Sequence, residues 1–330
     1  MKHSLYVLIA FLLVVLIATD KHKPVVYIIG DSTAAEKNNP LGNPERGWGM
    51  MLQGCFTEDV IVSNHAVNGR SSKSFRDEGR WQKILESLKP GDYVIIQFGH
   101  NDSKPDVERH TDPNTTFAEN LERYALETKA KGAVPILMSP VVRRCFYKMP
   151  DRIIDDEKLR TAAYGDEQTN SDTLVDTHGA YRWVARRVAQ KLKVCYIDAN
   201  AITSQIEQRH GVVGSRKLHV WLKPGECASI PQGRKDNTHY NIYGAFTVAN
   251  ALAEAIGEQI SELKPYVRHY DAVVSTRGRG NYFSLDSALS HKPVKGTYHV
   301  LVMDGQWKGT KGLSDKRLKI TLYGQAKICR

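Results

Sequence analysis

The chain has 330 residues, of which 41% are hydrophobic and 25% charged, and its 46 Lys and Arg against 36 Asp and Glu give a formal net charge of +10. That length buries a core without disulfide staples, as one large domain or two modest ones, and the apolar and charged fractions exclude disorder as the main state. Glycines and prolines are spread along the chain, which excludes collagen-like and low-complexity architectures.

Leu5 to Ala18 is the one long, uncharged apolar run, and Met1-Lys2-His3 stands in front of it. Its 14 residues would span about 21 Å as a helix, short of a hydrocarbon core of about 30 Å. A basic start followed by such a run reads as a secretory signal peptide over residues 1–19, cleaved near Ala18 or Thr19. An uncleaved membrane anchor is the alternative. No cysteine follows the run closely, which argues against a lipid anchor. The mature protein is expected to be exported, periplasmic or extracellular, with no stable membrane insertion after signal cleavage.

Val25 to Ile29 is a short apolar run ending in Gly30-Asp31-Ser32-Thr33, a buried strand followed by a turn. A serine at such a turn can point its hydroxyl into a cleft. A following helix would aim free N–H groups at the same spot. The same residues also fit a plain turn with an Asx or Ser cap. Val60 to Ser63 is a second strand, leading into Asn64-His65-Ala66-Val67-Asn68-Gly69-Arg70-Ser71-Ser72. Gly69 is a candidate backbone N–H donor, because no Cβ blocks a ligand there; a turn that starts a helix is the plainer reading. Trp81 to Leu88 has helical spacing. Tyr93 to Phe98 is a third strand, ending in Gly99-His100-Asn101-Asp102. The Asn101 amide donates a hydrogen bond without carrying charge, which suits an oxyanion; a helix cap fits it too.

Phe117 to Lys131, Ala180 to Leu192 and Ile242 to Ile260 read as helices, with strands at Val134 to Met138 and Val194 to Ile197 between them. Nearly continuous apolar strands with crossover-length connections predict a mostly parallel sheet covered on both faces, a three-layer α/β/α unit over about 24–264. Ligands bind such sheets beyond the carboxyl ends of the strands. Before the last helix lies Lys235-Asp236-Asn237-Thr238-His239, so one loop or first helical turn can present both acid and imidazole. A histidine whose other nitrogen is held by a carboxylate accepts a proton near neutral pH and activates a serine hydroxyl. An N-cap beside a surface histidine is the plainer alternative. A metal hydrolase using Asp236 and His239 as ligands is another, and chelation separates it.

From Pro265 to Arg330 the character changes. No long amphipathic helix is present, and strand-like runs stand at Tyr298 to Met303 and Leu318 to Tyr323. The expected organisation is a signal peptide at 1–19, a three-layer α/β/α domain at 20–264, and a small β-rich C-terminal appendage or truncated second domain at 265–330. The five cysteines are Cys55, Cys145, Cys195, Cys227 and Cys329, too sparse for a disulfide scaffold and without a Cys-x-x-Cys pair. Cys145 and Cys195 adjoin apolar runs and read as buried small hydrophobes. Basic residues are scattered, with no basic tail, zinc finger or aromatic RNA-binding submotif, so nucleic acid is not the expected partner. An acidic polymer fits the charge of an exported protein better.

The ordered set Gly30-Asp31-Ser32-Thr33, Asn68-Gly69-Arg70-Ser71, Gly99-His100-Asn101-Asp102 and Asp236-Asn237-Thr238-His239 resembles the SGNH, or GDSL-like, hydrolase superfamily. Within it the chain looks most like the rhamnogalacturonan acetylesterases, which remove acetyl groups from pectin backbones. Gly47-Trp48-Gly49, Arg70-Ser71-Ser72, Pro140-Val141-Val142-Arg143-Arg144 and Gly179-Ala180-Tyr181 add to the likeness, which covers about 24–262. The resemblance implies a five-stranded, mostly parallel, flavodoxin-like sheet. It implies a serine carbohydrate esterase working through an acetyl-enzyme intermediate, with no cofactor and no metal. By position, Ser32 looks like the nucleophile, His239 the general base and Asp236 the residue that orients it. The Ser32 and Gly69 N–H groups and the Asn101 side chain look like the oxyanion hole, and Asp31 like a brace of the first turn. Arg70, Arg143, Arg144 and Lys235 are candidates for a basic rim that meets an acetylated acidic plant polysaccharide; ordinary ion pairs are the alternative. Xylan, other acyl esters and a glycan-binding module with a degenerate site stay open, and a monomer is expected. The tail segments Thr276 to Leu285, Ala288-Leu289, Tyr298 to Gly305 and Ile320 to Gly324 more weakly resemble the opening coil of a pectin methylesterase β-helix. About 60 residues supply only a first coil or two of such a stack.

Overall fold

A computed structural model of the chain describes residues 22–148, 167 and 169–329. The expected signal segment lies outside the described residues. Five strands form one sheet: β1 (Val25–Gly30), β2 (Ile61–Asn64), β3 (Tyr93–Gln97), β4 (Val134–Met138) and β5 (Cys195–Ile197). Their order is β2-β1-β3-β4-β5 and every pairing is parallel. This is the flavodoxin-like order, whose switch point falls between β1 and β3.

The helices are α1 (Trp48–Met51), α2 (Ser72–Asp77), α3 (Arg80–Ser87), α4 (Thr116–Ala130), α5 (Tyr181–Leu192), α6 (Ala199–Gly214) and α7 (Ile242–Gln259). Alternation along β1 feeds two cores. Val26 and Ile28 pack with α1, α6 and α7, whereas Tyr27 and Ile29 pack with α2 to α5. In α7 the buried Ala245, Val248, Ala249, Leu252, Ala253 and Ile256 recur at helical spacing. The Asn241 side chain caps it, accepting from Gly244 N at 3.0 Å.

The expected three-layer architecture is found, and the strand ends agree with the apolar runs to within a residue. Two local expectations fail. No helix follows β1 directly: residues 32–34 form a turn in which Ala34 N and Ala35 N both donate to the Asp31 carbonyl. Asp236 and His239 lie neither in a loop nor in a helical turn but on β7 (Arg234–Tyr240), antiparallel to β6 (His219–Leu222). Pairing runs Leu222 to Arg234 and Trp221 to Lys235, then jumps to His219 opposite Tyr240. Residues 236–239 therefore bulge from the ribbon, a distortion that re-aims side chains.

The tail holds β8 (Ala272–Val274), α8 (Leu285–Ser290), β9 (Tyr298–Val302), β10 (Gln306–Lys308), β11 (Leu318–Leu322) and β12 (Lys327–Cys329). β8, β9 and β11 lie side by side in parallel, as do β10 and β12, so successive passes of chain stack as coils. Val274, Leu289, Val300 and Val302 give the tail its own core, and Val273, Leu301 and Met303 meet Phe246 of α7. Cys145 is buried as expected and Cys195 half-buried.

Candidate active site

The bulge of β7 is organised by one carboxylate. Asp236 Oδ1 accepts the backbone N–H groups of Thr238 at 3.0 Å and His239 at 2.9 Å. This turn folds the imidazole back over its own acid, so His239 Nδ1 stands 3.0 Å from Asp236 Oδ2. The other ring nitrogen, Nε2, stands 2.9 Å from Ser32 Oγ. Two residues 207 positions apart thus meet at the carboxyl end of the sheet. Asp236 is fully buried and His239 nearly so, while Ser32 is half-buried and opens on a cleft of about 210 Å³. A hydroxyl, an imidazole and a buried carboxylate in this order can take a proton from the hydroxyl and hold the resulting imidazolium.

Asp31 braces the first turn as expected, accepting Thr33 N at 2.9 Å and Thr33 Oγ1 at 2.8 Å. Burial alone would raise its pKa, but His100 and the Thr33 donors override this and hold it down at about 2. Gly69 and Asn101 line the cleft with Ser32. Glycine at 69 also has a backbone reason: φ is +74°, which a larger residue resists, while a Cβ there would meet no protein atom within 4 Å. Asn101 Nδ2 donates to the Arg70 carbonyl at 3.1 Å and Oδ1 accepts from Arg109 at 3.3 Å, which fixes the amide with its N–H₂ end turned towards the Gly69 loop. Asp102, fully buried, clamps that loop from behind by accepting from Ser72 N and Oγ, Thr111 Oγ1 and Gly99 N. Burial pushes the Asp102 carboxyl up to about 7 against these donors.

Several functional neighbours carry no sequence signal of their own. Lys37 is buried and donates to the Ser32 carbonyl at 2.7 Å and to Asn68 Oδ1 at 2.8 Å, tying the first two site loops together. Burial lowers its pKa and Glu45 opposes the shift. Glu45 lines the cleft and faces Arg234 at 2.7 Å and Lys37 at 3.6 Å. Glu45, Asp236 and His239 offer ligand atoms within 4.8 Å of one another, but the two cations at Glu45 already supply positive charge there. Behind Ser32, His100 stands 3.3 Å from Asp31 and its ring meets that of His178 edge-on at 4.7 Å. Burial drives both imidazoles towards the neutral form; Asp31 opposes this at His100, and Arg143 reinforces it at His178.

The four expected rim cations separate. Arg143 lines the cleft, donating to the His100 carbonyl at 3.1 Å. Arg70 follows the cleft-lining Gly69 in the chain but does not itself line the cleft, and it is tied to Glu78 at 3.0 Å. Arg144, next to Arg143 in sequence, points the other way: it is fully buried, bonded to Glu167 Oε2 at 2.8 Å and to Ser215 Oγ at 2.8 Å, with its guanidinium over Trp221. Lys235 is buried on β7 and does not line the cleft. Lys104 and Arg109, from the turns after Gly99-His100-Asn101-Asp102, line it instead.

Residues 28–220 match the GDSL-like lipase/acylhydrolase family. Rhamnogalacturonan acetylesterase RhgT of Bacillus subtilis is 37% identical over 258 residues, covering 78% of this chain and 97% of that protein. Rhamnogalacturonan acetylesterase of Emericella nidulans is 28% identical over 236 residues, covering 70% of this chain and 84% of that protein. The crystal structure of the Bacillus subtilis protein YxiM shares the fold with a TM-score of 0.55 at 24% identity, over 72% of this chain and 57% of that one. The chain belongs to the GDSL-like lipase/acylhydrolase family and is a carboxylic ester hydrolase of SGNH fold.

Proposed function

We propose that the protein is a serine esterase that removes O-acetyl groups from an acidic pectin backbone, rhamnogalacturonan, through an acetyl-enzyme intermediate. The observation that carries the mechanism is the contact of 2.9 Å between Ser32 Oγ and His239 Nε2, with Asp236 behind the ring. In this reading His239 takes the proton of Ser32 as its oxygen attacks the acetyl carbonyl. Negative charge moves to the carbonyl oxygen, where the Ser32 and Gly69 N–H groups and the Asn101 amide receive it. Each such donor is worth about 3 kcal/mol in the transition state. The sugar oxygen leaves with the proton held by His239. Water then enters, gives a proton to His239 and a hydroxyl to the acetyl carbon, and acetate departs as Ser32 Oγ takes that proton back from His239.

The acidic substrate is supported by the cleft wall. Lys104, Arg109 and Arg143 line the pocket with Ser32 against the one lining carboxylate, Glu45, although Arg109 is also paired with Asp106 at 2.7 Å, and this excess of cations favours a polyanion. The names of the two rhamnogalacturonan acetylesterases similar to this chain point the same way. Among the described residues no helix is long and apolar enough to cross a membrane. Acetate release is to be compared on acetylated rhamnogalacturonan, acetylated xylan and acyl-lipid esters, with Ser32→Ala beside wild type. Preference for the first substrate and loss of activity in the variant are expected. An active Ser32→Ala protein would overturn the mechanism, and preference for xylan or lipid would overturn the substrate.

A further inference from the structure

The tail touches the loop that ties the first two site loops together. Residues 36–46 leave the Ser32 turn and return to the sheet at α1. The loop is closed on itself by Arg46, which is buried and donates to the carbonyls of Pro40 at 2.6 Å, Asn43 at 2.7 Å and Glu45 at 2.6 Å. Arg46 N donates to the Tyr240 carbonyl at 2.8 Å, one residue past His239. The same loop carries Lys37 and Glu45, so the Ser32 carbonyl, Asn68 and the Asp236–His239 bulge are all tied to it.

The other side of this loop is covered by the tail turn between β8 and α8. Phe283 lies against the Arg46 guanidinium, with 5.5 Å from Cζ to the ring centroid. A Cβ on Gly278 would fall 2.6 Å from Pro40 Cβ and 3.3 Å from Arg46 Nε, so the turn is seated without space to spare. Arg279 faces Glu36 at 3.4 Å. Asp304, at the end of β9, pins the turn by accepting from Ser275 Oγ, Thr276 N and Thr276 Oγ1, each at 2.6 Å.

We propose that the C-terminal appendage is a positioning element of the active site: its turn seats the 36–46 loop, and through Arg46 and Lys37 that loop sets the placement of Ser32 against His239. The inference rests on the serine-esterase reading above. A contact of this kind is worth about 0.5–2 kcal/mol, which corresponds to between about twofold and about thirtyfold in rate if it is expressed in the competent geometry.

The test uses the full chain and p-nitrophenyl acetate, a substrate too small to reach the tail. Diethyl p-nitrophenyl phosphate counts competent sites first, since Ser32 displaces one p-nitrophenolate per site, so unfolded protein does not enter the rate. For Phe283→Ala the expected result is a fall of kcat per titrated site within that range, with KM changed less than twofold, and recovery in Phe283→Tyr. Asp304→Asn, which unpins the turn without touching the loop, is expected to act in the same sense and carries the test should Phe283→Ala fail to fold. Wild-type kcat per site in Phe283→Ala and Asp304→Asn, whatever their melting temperatures, would overturn the proposal and leave the tail a stabilising appendage. Failure of the esterase reading looks different: wild-type protein would then give no p-nitrophenolate burst.

Discussion

Asp236→Asn separates orientation of the histidine from its presence. The substitution keeps the shape of the side chain. Its remaining oxygen can still accept Thr238 N and His239 N, the two bonds at 3.0 and 2.9 Å that fold the bulge. The amide nitrogen then takes the place of Oδ2, 3.0 Å from His239 Nδ1. Nδ1 must become an acceptor, so the ring proton moves to Nε2. That nitrogen faces Ser32 Oγ at 2.9 Å and can no longer take its proton. Reversing the tautomer in such a triad removes about 10⁴ from kcat, or about 5.5 kcal/mol. The assay is acetate release and p-nitrophenyl acetate turnover near neutral pH, with the melting temperature recorded beside it. A low kcat in a protein that melts close to wild type is expected. An Asn variant within tenfold of wild type would refute the assignment of Asp236 to orienting His239.

Three further outcomes follow from the same geometry. Arg144→Met should cost about 1–3 kcal/mol by leaving Glu167 with only Arg216, at 3.3 Å, as its cation, read as a lower melting temperature with KM unchanged, whereas Lys104→Ala or Arg109→Ala should raise KM for the polysaccharide, with the effect shrinking as salt is added; a KM effect confined to Arg144 would reverse these roles. Asp31 has a native pKa near 2 against 3.8 unfolded, so the unfolded chain binds its proton first on acidification and the native stabilisation, about 2 kcal/mol at neutral pH, is lost as pH falls through about 2; urea unfolding between pH 5 and pH 2 should show a shallower loss for Asp31→Asn than for wild type, and equal slopes would contradict this. Gly69→Ala should lower stability by about 1 kcal/mol because φ is +74°, and it places a methyl beside the cleft, so a fall in kcat larger than the change in stability is expected from single-turnover acetylation.

What could be read from the sequence was governed by pattern. β1, β3 and β4 are continuous apolar runs because both faces are buried, and that signal needs no tertiary knowledge. Ser32, Gly69 and Asn101 were legible as polar punctuation after apolar strand runs, and Asp236 and His239 as a spaced pair before the last helix. β7 was not: Arg-Lys-Asp-Asn-Thr-His-Tyr has no apolar alternation, and its strand exists because β6 pairs with it and Asp236 supplies the bulge. α6 escaped because its pattern is broken at Gly211, where φ is +71°. Arg143 and Arg144 are adjacent in sequence yet face a cleft and a core, a division decided by backbone direction after β4 rather than by composition. Lys37, Glu45 and Arg46 lie in an irregular loop whose importance comes from what it spans, and no local period marks them.

The distance along the chain between Ser32 and His239 has a consequence for biogenesis. On the proposed mechanism Ser32 is translated early and His239 207 residues later, so no fragment that ends before His239 can be a partial enzyme. Parallel pairing and a long-range contact both close late, after loop entropy has been overcome. Recovery of turnover during refolding should therefore lag behind recovery of helical signal, and hydrolysis becomes a clock for the final docking of β7 rather than for collapse of the sheet.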